Sequence, residues 1–331
     1  MRTPGLRSGY DALLLDLDGT LYRGPDEIPG ARDAVVGGDE RLLYVTNNAS
    51  RAPETVAGQL VSLGFPAQPA DVVTSAQVAA AMLAERVPAG TAVLVVGAEA
   101  LAAEIDAVGL VPVRSFDDGP GAVVQGHSPD TGWRILAEAT LAIRAGALWV
   151  ATNVDSTLPT ERGVVLGNGS MVAAVSSATG ARPLVAGKPA TPIMTEAVRR
   201  AGATRPLVVG DRLDTDIAGA CAADMDSLLV LTGVSTLGDL LSASPSERPT
   251  HLAATLEALD ASAESSRIGA GDGIDVQVRD GEIVVSASRD VDDVALVRAI
   301  VPALWEHGVG TPVRGEGAAS TAGEVVARLF A

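Results

Sequence analysis

Apolar and polar positions along this chain follow two rhythms. Up to about residue 260, short runs that are apolar at nearly every position alternate with longer stretches of helical spacing. That alternation predicts parallel strands buried on both faces beneath helices. Residues 12–15, 41–45, 92–97, 122–125, 147–151, 206–210 and 227–231 are the predicted strands, and helices are expected over 30–36, 53–63, 195–201 and 251–259. Beyond residue 273 the rhythm changes to a period of two. Residues 274–279 and 282–287 alternate about Asp280-Gly281, which predicts a hairpin. Helices over 292–308, with Pro302 inside, and 322–329 complete the tail.

This order predicts an α/β chain with a Rossmann-like parallel-sheet core in two pieces, residues 1–78 and 185–260. A second α/β layer, residues 79–184, is inserted between them. Stretches rich in Ser, Ala, Gly and Pro, 242–249 and 261–273, read as linkers. Residues 274–331 form a small α+β module to which the sequence assigns no chemistry. Such a module is small for independent folding, so it is expected to pack on the rest of the chain or on another subunit.

Polar residues matter most where the apolar runs stop, because open α/β sheets collect ligands beyond the carboxyl ends of their strands. The first run ends in Asp16-Leu17-Asp18-Gly19-Thr20 and the second in Thr46-Asn47-Asn48-Ala49-Ser50-Arg51. A third ends in Gly210-Asp211, with Asp216 five residues later. Paired carboxylates repel one another and resist burial, so a fold retains them only around a cation or a proton. Acids from separate strands at one mouth suit a hard cation, Mg²⁺ rather than Ca²⁺ when few protein oxygens take part. Hydroxyl and amide groups at Thr46 and Asn47 suit phosphate oxygens, whereas Ser50 is expected to cap the following helix. On the inserted layer, whose strand ends suit a lid, His127 and Asp155 are candidate substrate contacts.

Composition sharpens one residue. Of 24 basic residues all but Lys188 are arginine. A compact ammonium differs from a guanidinium fork where a small anion must be approached closely, and Lys188 stands in a Gly-Lys-Pro loop. The formal charge of −17 argues against nucleic acid as a partner. A single cysteine, Cys221, excludes a disulfide framework and fits a reducing compartment. The three histidines, His127, His251 and His307, are too scattered for a zinc site. No leader or membrane-spanning run is evident, so a cytoplasmic protein without a membrane partner is expected.

With the Asp-Leu-Asp-Gly-Thr, Thr-Asn-Asn-Ala-Ser-Arg, Ala-Gly-Lys-Pro and Gly-Asp-Arg-Leu-Asp-Thr-Asp segments in this order, residues 10–260 resemble the haloacid dehalogenase (HAD) superfamily phosphatases. The position of the insertion is similar to the large-cap, NagD-like branch. The resemblance implies that Asp16 is a nucleophile forming an aspartyl-phosphate and that Asp18 is the general acid and base. It implies Mg²⁺ held by Asp16, the Asp18 backbone carbonyl and Asp211, with Asp216 ordering its water, while Thr46, Asn47 and Lys188 hold phosphate oxygens. The expected substrate is a small phosphorylated metabolite. Glycerol 3-phosphate is preferred, with 2-phosphoglycolate and pyridoxal 5'-phosphate as alternatives, because 3% aromatic content offers little to stack a flat ring. A phospho-acceptor or partner-binding protein on the same core is the non-enzymatic alternative. Self-association through the inserted layer or the C-terminal module stays open.

Overall fold

The computed structural model describes residues 5–160, 162–269, 271 and 273–330. Residues 270 and 272 of the expected linker lie outside them. The chain divides into two compact units, one of Met1–Leu42 with Ala201–Ala331 and the other of Leu43–Arg200.

In the first unit the strands Ala12–Leu15, Pro206–Gly210, Asp226–Val230 and His251–Ala253 lie side by side and parallel. Leu15 pairs with Val209, and the Asp16 N–H continues the ladder by donating to the Val209 carbonyl at 2.9 Å. All four residues of the first strand are buried, as expected of a central parallel strand. The segment 251–259, expected as a helix, is instead the short strand His251–Ala253 followed by a single 3₁₀ turn, Leu256–Leu259. Three apolar-flanked residues gained a partner in Asp226–Val230, and that distant pairing overrides the helix propensity of the Ala- and Leu-rich stretch.

The tail confirms the hairpin, with strands Ile274–Arg279 and Glu282–Ala287 antiparallel about Asp280 and Gly281. Both turn residues have positive φ, 51° and 80°, as a two-residue turn of this hand requires. A third strand, Val313–Gly317, runs parallel to the second and was not evident in the sequence. The helix Asp293–His307 is capped by Asp292, whose side chain accepts the Ala295 N–H at 2.7 Å. Tail residues Ile283, Val285, Leu296, Ile300 and Leu304 share one apolar cluster with Ile217, Leu229, Leu240 and Leu252 of the sheet layer. A segment of this size thus acquires its core from the unit it joins.

In the second unit, residues of the strand Arg41–Thr46 pair in parallel with Val72–Thr74. A separate five-stranded parallel sheet has the order Leu184–Val185, Leu148–Ala151, Ala122–Gln125, Ala92–Val96, Val111–Val113. The helices Trp133–Arg144 and Asn168–Thr179 cover one face, with Ala139, Ala142, Val172 and Val175 buried against Val123, Trp149 and Ala151. A hairpin, Thr157–Thr160 with Gly163–Leu166, leaves Val164, Val165 and Leu166 exposed. The helix expected from residue 195 begins four residues earlier, as Thr191–Ala201. No helix among the described residues is long and apolar enough to cross a membrane.

Candidate active site

The acidic residues belong to the first unit. Asp16 and Asp211 each follow directly on the last residue of a parallel strand, and the Leu15–Val209 register brings them to the same end of the sheet. Asp216 reaches the same point from a π-helical turn, Leu213–Ile217, in which Asp216 and Ile217 both donate to the Arg212 carbonyl at 3.1 Å. The wide turn also lets Asp216 Oδ2 accept the Arg212 N–H at 3.1 Å. One carboxylate oxygen from each of Asp16, Asp211 and Asp216 lies within 4.8 Å of the others. Asp211 is 0% and Asp216 1% exposed, whereas Asp16 is half-buried and Asp18 exposed.

Glycines make this packing of acids feasible. A Cβ at Gly19, where φ is +88°, would come 2.5 Å from Asp211 Oδ2. A Cβ at Gly233 would overlap the same carboxylate, and one at Gly210 would overlap that of Asp216. The Asp-Gly and Gly-Asp pairs therefore record close approach of backbone to carboxylate. The segment after the strand Asp226–Val230 closes the arrangement. Val234 N–H donates to Asp211 Oδ2 at 2.6 Å, Ser235 N–H donates to the Asp211 carbonyl at 3.0 Å, and Thr232 Oγ1 donates to the Gly19 carbonyl at 2.6 Å. Sequence reasoning passed over this Thr-Gly-Val-Ser segment, although it too is a polar end to an apolar run.

Three acids this close, two of them out of water, repel unless a cation joins them. An all-oxygen donor set fits Mg²⁺, which keeps several waters and takes only a few carboxylates from protein. The residues present suit that ion.

The phosphate-binding candidates belong to the second unit. Thr46 ends its strand with 6% exposure, and its Oγ1 accepts the Asn48 N–H at 3.1 Å. Asn47 is a hub. Its Oδ1 accepts the Lys188 N–H at 2.8 Å, and its Nδ2 donates to the Lys188 carbonyl at 2.9 Å and to both Asp155 oxygens at 3.2 Å. Its own carbonyl accepts from Ser75 Oγ at 2.7 Å and Asn153 Nδ2 at 2.8 Å. Lys188 is 3% exposed, and its ammonium donates to the Val45 carbonyl at 3.1 Å. Gly187 lacks a Cβ because one would overlap Asn47 Oδ1.

Of the two lid candidates, Asp155 joins this hub and His127 lies on a neighbouring loop, its carbonyl accepting from Ser50 Oγ at 2.9 Å. Burial pushes the His127 imidazole below its usual pKa. Ser50 was expected to cap a helix, but Ala52 occupies the cap of Pro53–Ser62 and Ser50 instead reaches across to the His127 loop. A contact 77 residues away in sequence outcompeted the local one.

A parallel α/β sheet with acids at its strand ends, and a lone lysine loop in a second α/β layer, defines a class of phosphoryl-handling hydrolases. The sequence pattern of the haloacid dehalogenase-like hydrolases matches residues 13–111, and a second pattern, HAD-hydrolase-like, matches residues 185–259. The chain belongs to the haloacid dehalogenase-like hydrolases. It is 53% identical over 304 residues to a D-glycerol 3-phosphate phosphatase of Mycobacterium tuberculosis, covering 90% of this chain and 86% of that protein. It is 40% identical over 237 residues to an acid sugar phosphatase of Staphylococcus aureus, covering 70% of this chain and 90% of that one. The crystal structure of a glycerol phosphate phosphatase from Mycobacterium tuberculosis in complex with magnesium superposes with a TM-score of 0.92 at 49% identity, covering 99% of each chain.

Proposed function

We propose that this hydrolase is a magnesium-dependent phosphomonoesterase that converts glycerol 3-phosphate to glycerol and inorganic phosphate. The observation that carries the reading is the cluster of Asp16, Asp211 and Asp216 oxygens within 4.8 Å. The name of the 53%-identical Mycobacterium tuberculosis relative supports the choice of substrate.

Asp16 and Asp211, with Asp216 beside them, would hold the ion, which when bound supplies charge neutralisation between nucleophile and phosphoryl oxygens. An Asp16 oxygen attacks phosphorus, and the bond from phosphorus to the glycerol oxygen breaks. Asp18, exposed three residues beyond the end of the strand, gives its proton to the departing alkoxide. The carboxylate of Asp18 then takes a proton from the water that attacks the aspartyl-phosphate, so phosphate leaves and Asp16 is restored. Thr46 and Lys188 are assigned to the non-reacting phosphate oxygens, where charge must be held in place throughout; Asn47 serves the same end by holding the N–H and carbonyl of Lys188. His127 and Asp155 are assigned to the lid side.

Phosphate release should be measured with glycerol 3-phosphate, 2-phosphoglycolate and pyridoxal 5'-phosphate, with added Mg²⁺ and with EDTA. The highest kcat/KM is expected for glycerol 3-phosphate, with activity lost in EDTA and restored by Mg²⁺. Another monoester in first place would overturn the substrate. Stoichiometric phosphorylation without turnover would make the chain a phospho-acceptor instead. The proposal extends to a cytoplasmic setting and to assembly of like chains through the inserted layer, whose hairpin exposes Val164 and Leu166. Sedimentation showing only monomer at micromolar concentration would remove the assembly.

A further inference from the structure

Asn47 has little of its side chain left to offer a ligand. Its Oδ1 accepts from Lys188 N–H, while the two hydrogens of Nδ2 are shared among the Lys188 carbonyl and the two Asp155 oxygens. An amide carries two donor hydrogens and one carbonyl acceptor, so this set occupies both of its polar ends. The amide grips the peptide units on both sides of the Lys188 Cα, through Lys188 N–H and Lys188 C=O. A side chain that holds both flanking groups fixes the direction in which Cα–Cβ leaves the backbone, and hence where a buried ammonium can reach.

Asp155 reinforces the way round in which the Lys188 N–H and carbonyl hold that amide. A carboxylate only accepts, so it holds the NH₂ end of Asn47 from the side opposite the Lys188 carbonyl's claim on it and keeps Oδ1 for the Lys188 N–H. Were the amide reversed, its oxygen would face the Asp155 oxygens and its NH₂ would face an N–H. The surroundings hold the arrangement from outside. Asn153 Nδ2 and Ser75 Oγ pin the Asn47 carbonyl, Asp155 N–H donates to Asn153 Oδ1 at 3.3 Å, and Gly187 N–H donates to the Thr152 carbonyl at 2.8 Å. Asp155 sits 108 residues from Asn47 and on the inserted layer, so the fold has placed an acid there in addition to those of the catalytic set.

We infer that Asp155 is a positioning residue for Lys188, acting through the Asn47 amide, and not a contact for the glycerol moiety. The inference rests on the phosphatase reading above, and it gives the inserted layer a part in holding the phosphoryl group whatever the leaving group. Displacement of a phosphate-binding charge by about an ångström is enough to cost on the order of 10²-fold in rate.

The test compares Asp155→Asn and Lys188→Met, alone and together, on glycerol 3-phosphate and p-nitrophenyl phosphate, which share only the phosphoryl group. Asp155→Asn places an NH₂ or a single acceptor against the Asn47 NH₂ while keeping size. The expected result is a fall in kcat/KM of about 10- to 100-fold, by the same factor for both substrates. The double variant should be no worse than Lys188→Met alone, because the clamp has nothing left to position. A loss confined to glycerol 3-phosphate would overturn the inference and make Asp155 a substrate contact. Losses that multiply in the double variant would overturn it as well, leaving only a structural role. The conservative variant Asp155→Glu keeps an accepting carboxylate for the Asn47 NH₂ and should recover part of the loss; where Asp155→Asn lowers Tm, this recovery at equal Tm decides the matter, and no recovery counts against the clamp. If the unmodified protein releases phosphate from neither compound, the phosphatase reading itself fails, a result distinct from any of these.

Discussion

The backbone N–H of Val234 donates to Asp211 Oδ2 at 2.6 Å, and the residue before it, Gly233, brings the chain so close that a Cβ would overlap the same carboxylate. One oxygen of Asp211 is therefore oriented by backbone. An acid held this way keeps its place among the three carboxylates without depending on a flexible partner.

Gly233→Ala should accordingly displace Asp211 and weaken metal binding before it unfolds the protein. The Mg²⁺ concentration giving half-maximal activity is expected to rise by about 10-fold or more, the scale of losing an orienting partner at a metal site. A Mg²⁺ titration of phosphate release checks this. An unchanged midpoint would mean that the segment 232–235 does not govern the acid.

Asp18→Asn removes the proton donor while sparing the buried acids. Because Asp18 is exposed, Tm should stay within about 1 °C of the original, the small response typical of surface positions. The rate should fall about 10²- to 10⁴-fold, the usual range for general acid–base catalysis. Differential scanning fluorimetry and steady-state kinetics on one preparation measure both. A variant that keeps full kcat would transfer the proton role elsewhere.

Ile300 is fully buried in the cluster that joins the tail to the sheet layer of the first unit. Ile300→Ala is expected to cost about 2–5 kcal/mol, the range for truncating a buried aliphatic side chain. Urea unfolding should register this as an earlier midpoint of a transition shared by the whole unit. If a separate tail transition appears while the main one stays put, the tail folds on its own and the shared core carries no weight.

His251 supplies a pH dependence. It is 3% exposed, with Nδ1 3.0 Å from Ser266 Oγ, and burial lowers its pKa below the ordinary 6.5, with Arg267 adding to the shift and Asp226 and Glu264 opposing it. The unfolded chain then binds more protons at this ring than the folded one, so stability rises with pH across the window between the depressed value and 6.5. Below that window the penalty is complete, and above it the penalty vanishes. His251→Gln should flatten this part of a Tm-against-pH curve between pH 5 and 7. An unaltered slope would assign the dependence to another group, such as His127, whose pKa burial also lowers.

Much of this was legible in one dimension, and the exceptions share a cause. The apolar runs at 12–15 and 206–210 announced themselves as buried parallel strands, so the acids that follow had to emerge at a sheet end. The Asp-Gly turn between alternating strands specified its hairpin, because both residues must adopt positive φ there. These are properties of neighbours in the chain, and periodicity and turn chemistry report them directly. What Asn47 binds, why Gly233 lacks a side chain, and that His251 starts a strand depend on partners 108, 22 and 23 residues away or more. Local propensity is worth a few tenths of a kcal/mol per residue, whereas a paired strand edge or a satisfied buried polar group is worth about 1 kcal/mol or more. The sequence by itself determined which residues could do this chemistry; only the tertiary structure decided which of them are held in place, and by what.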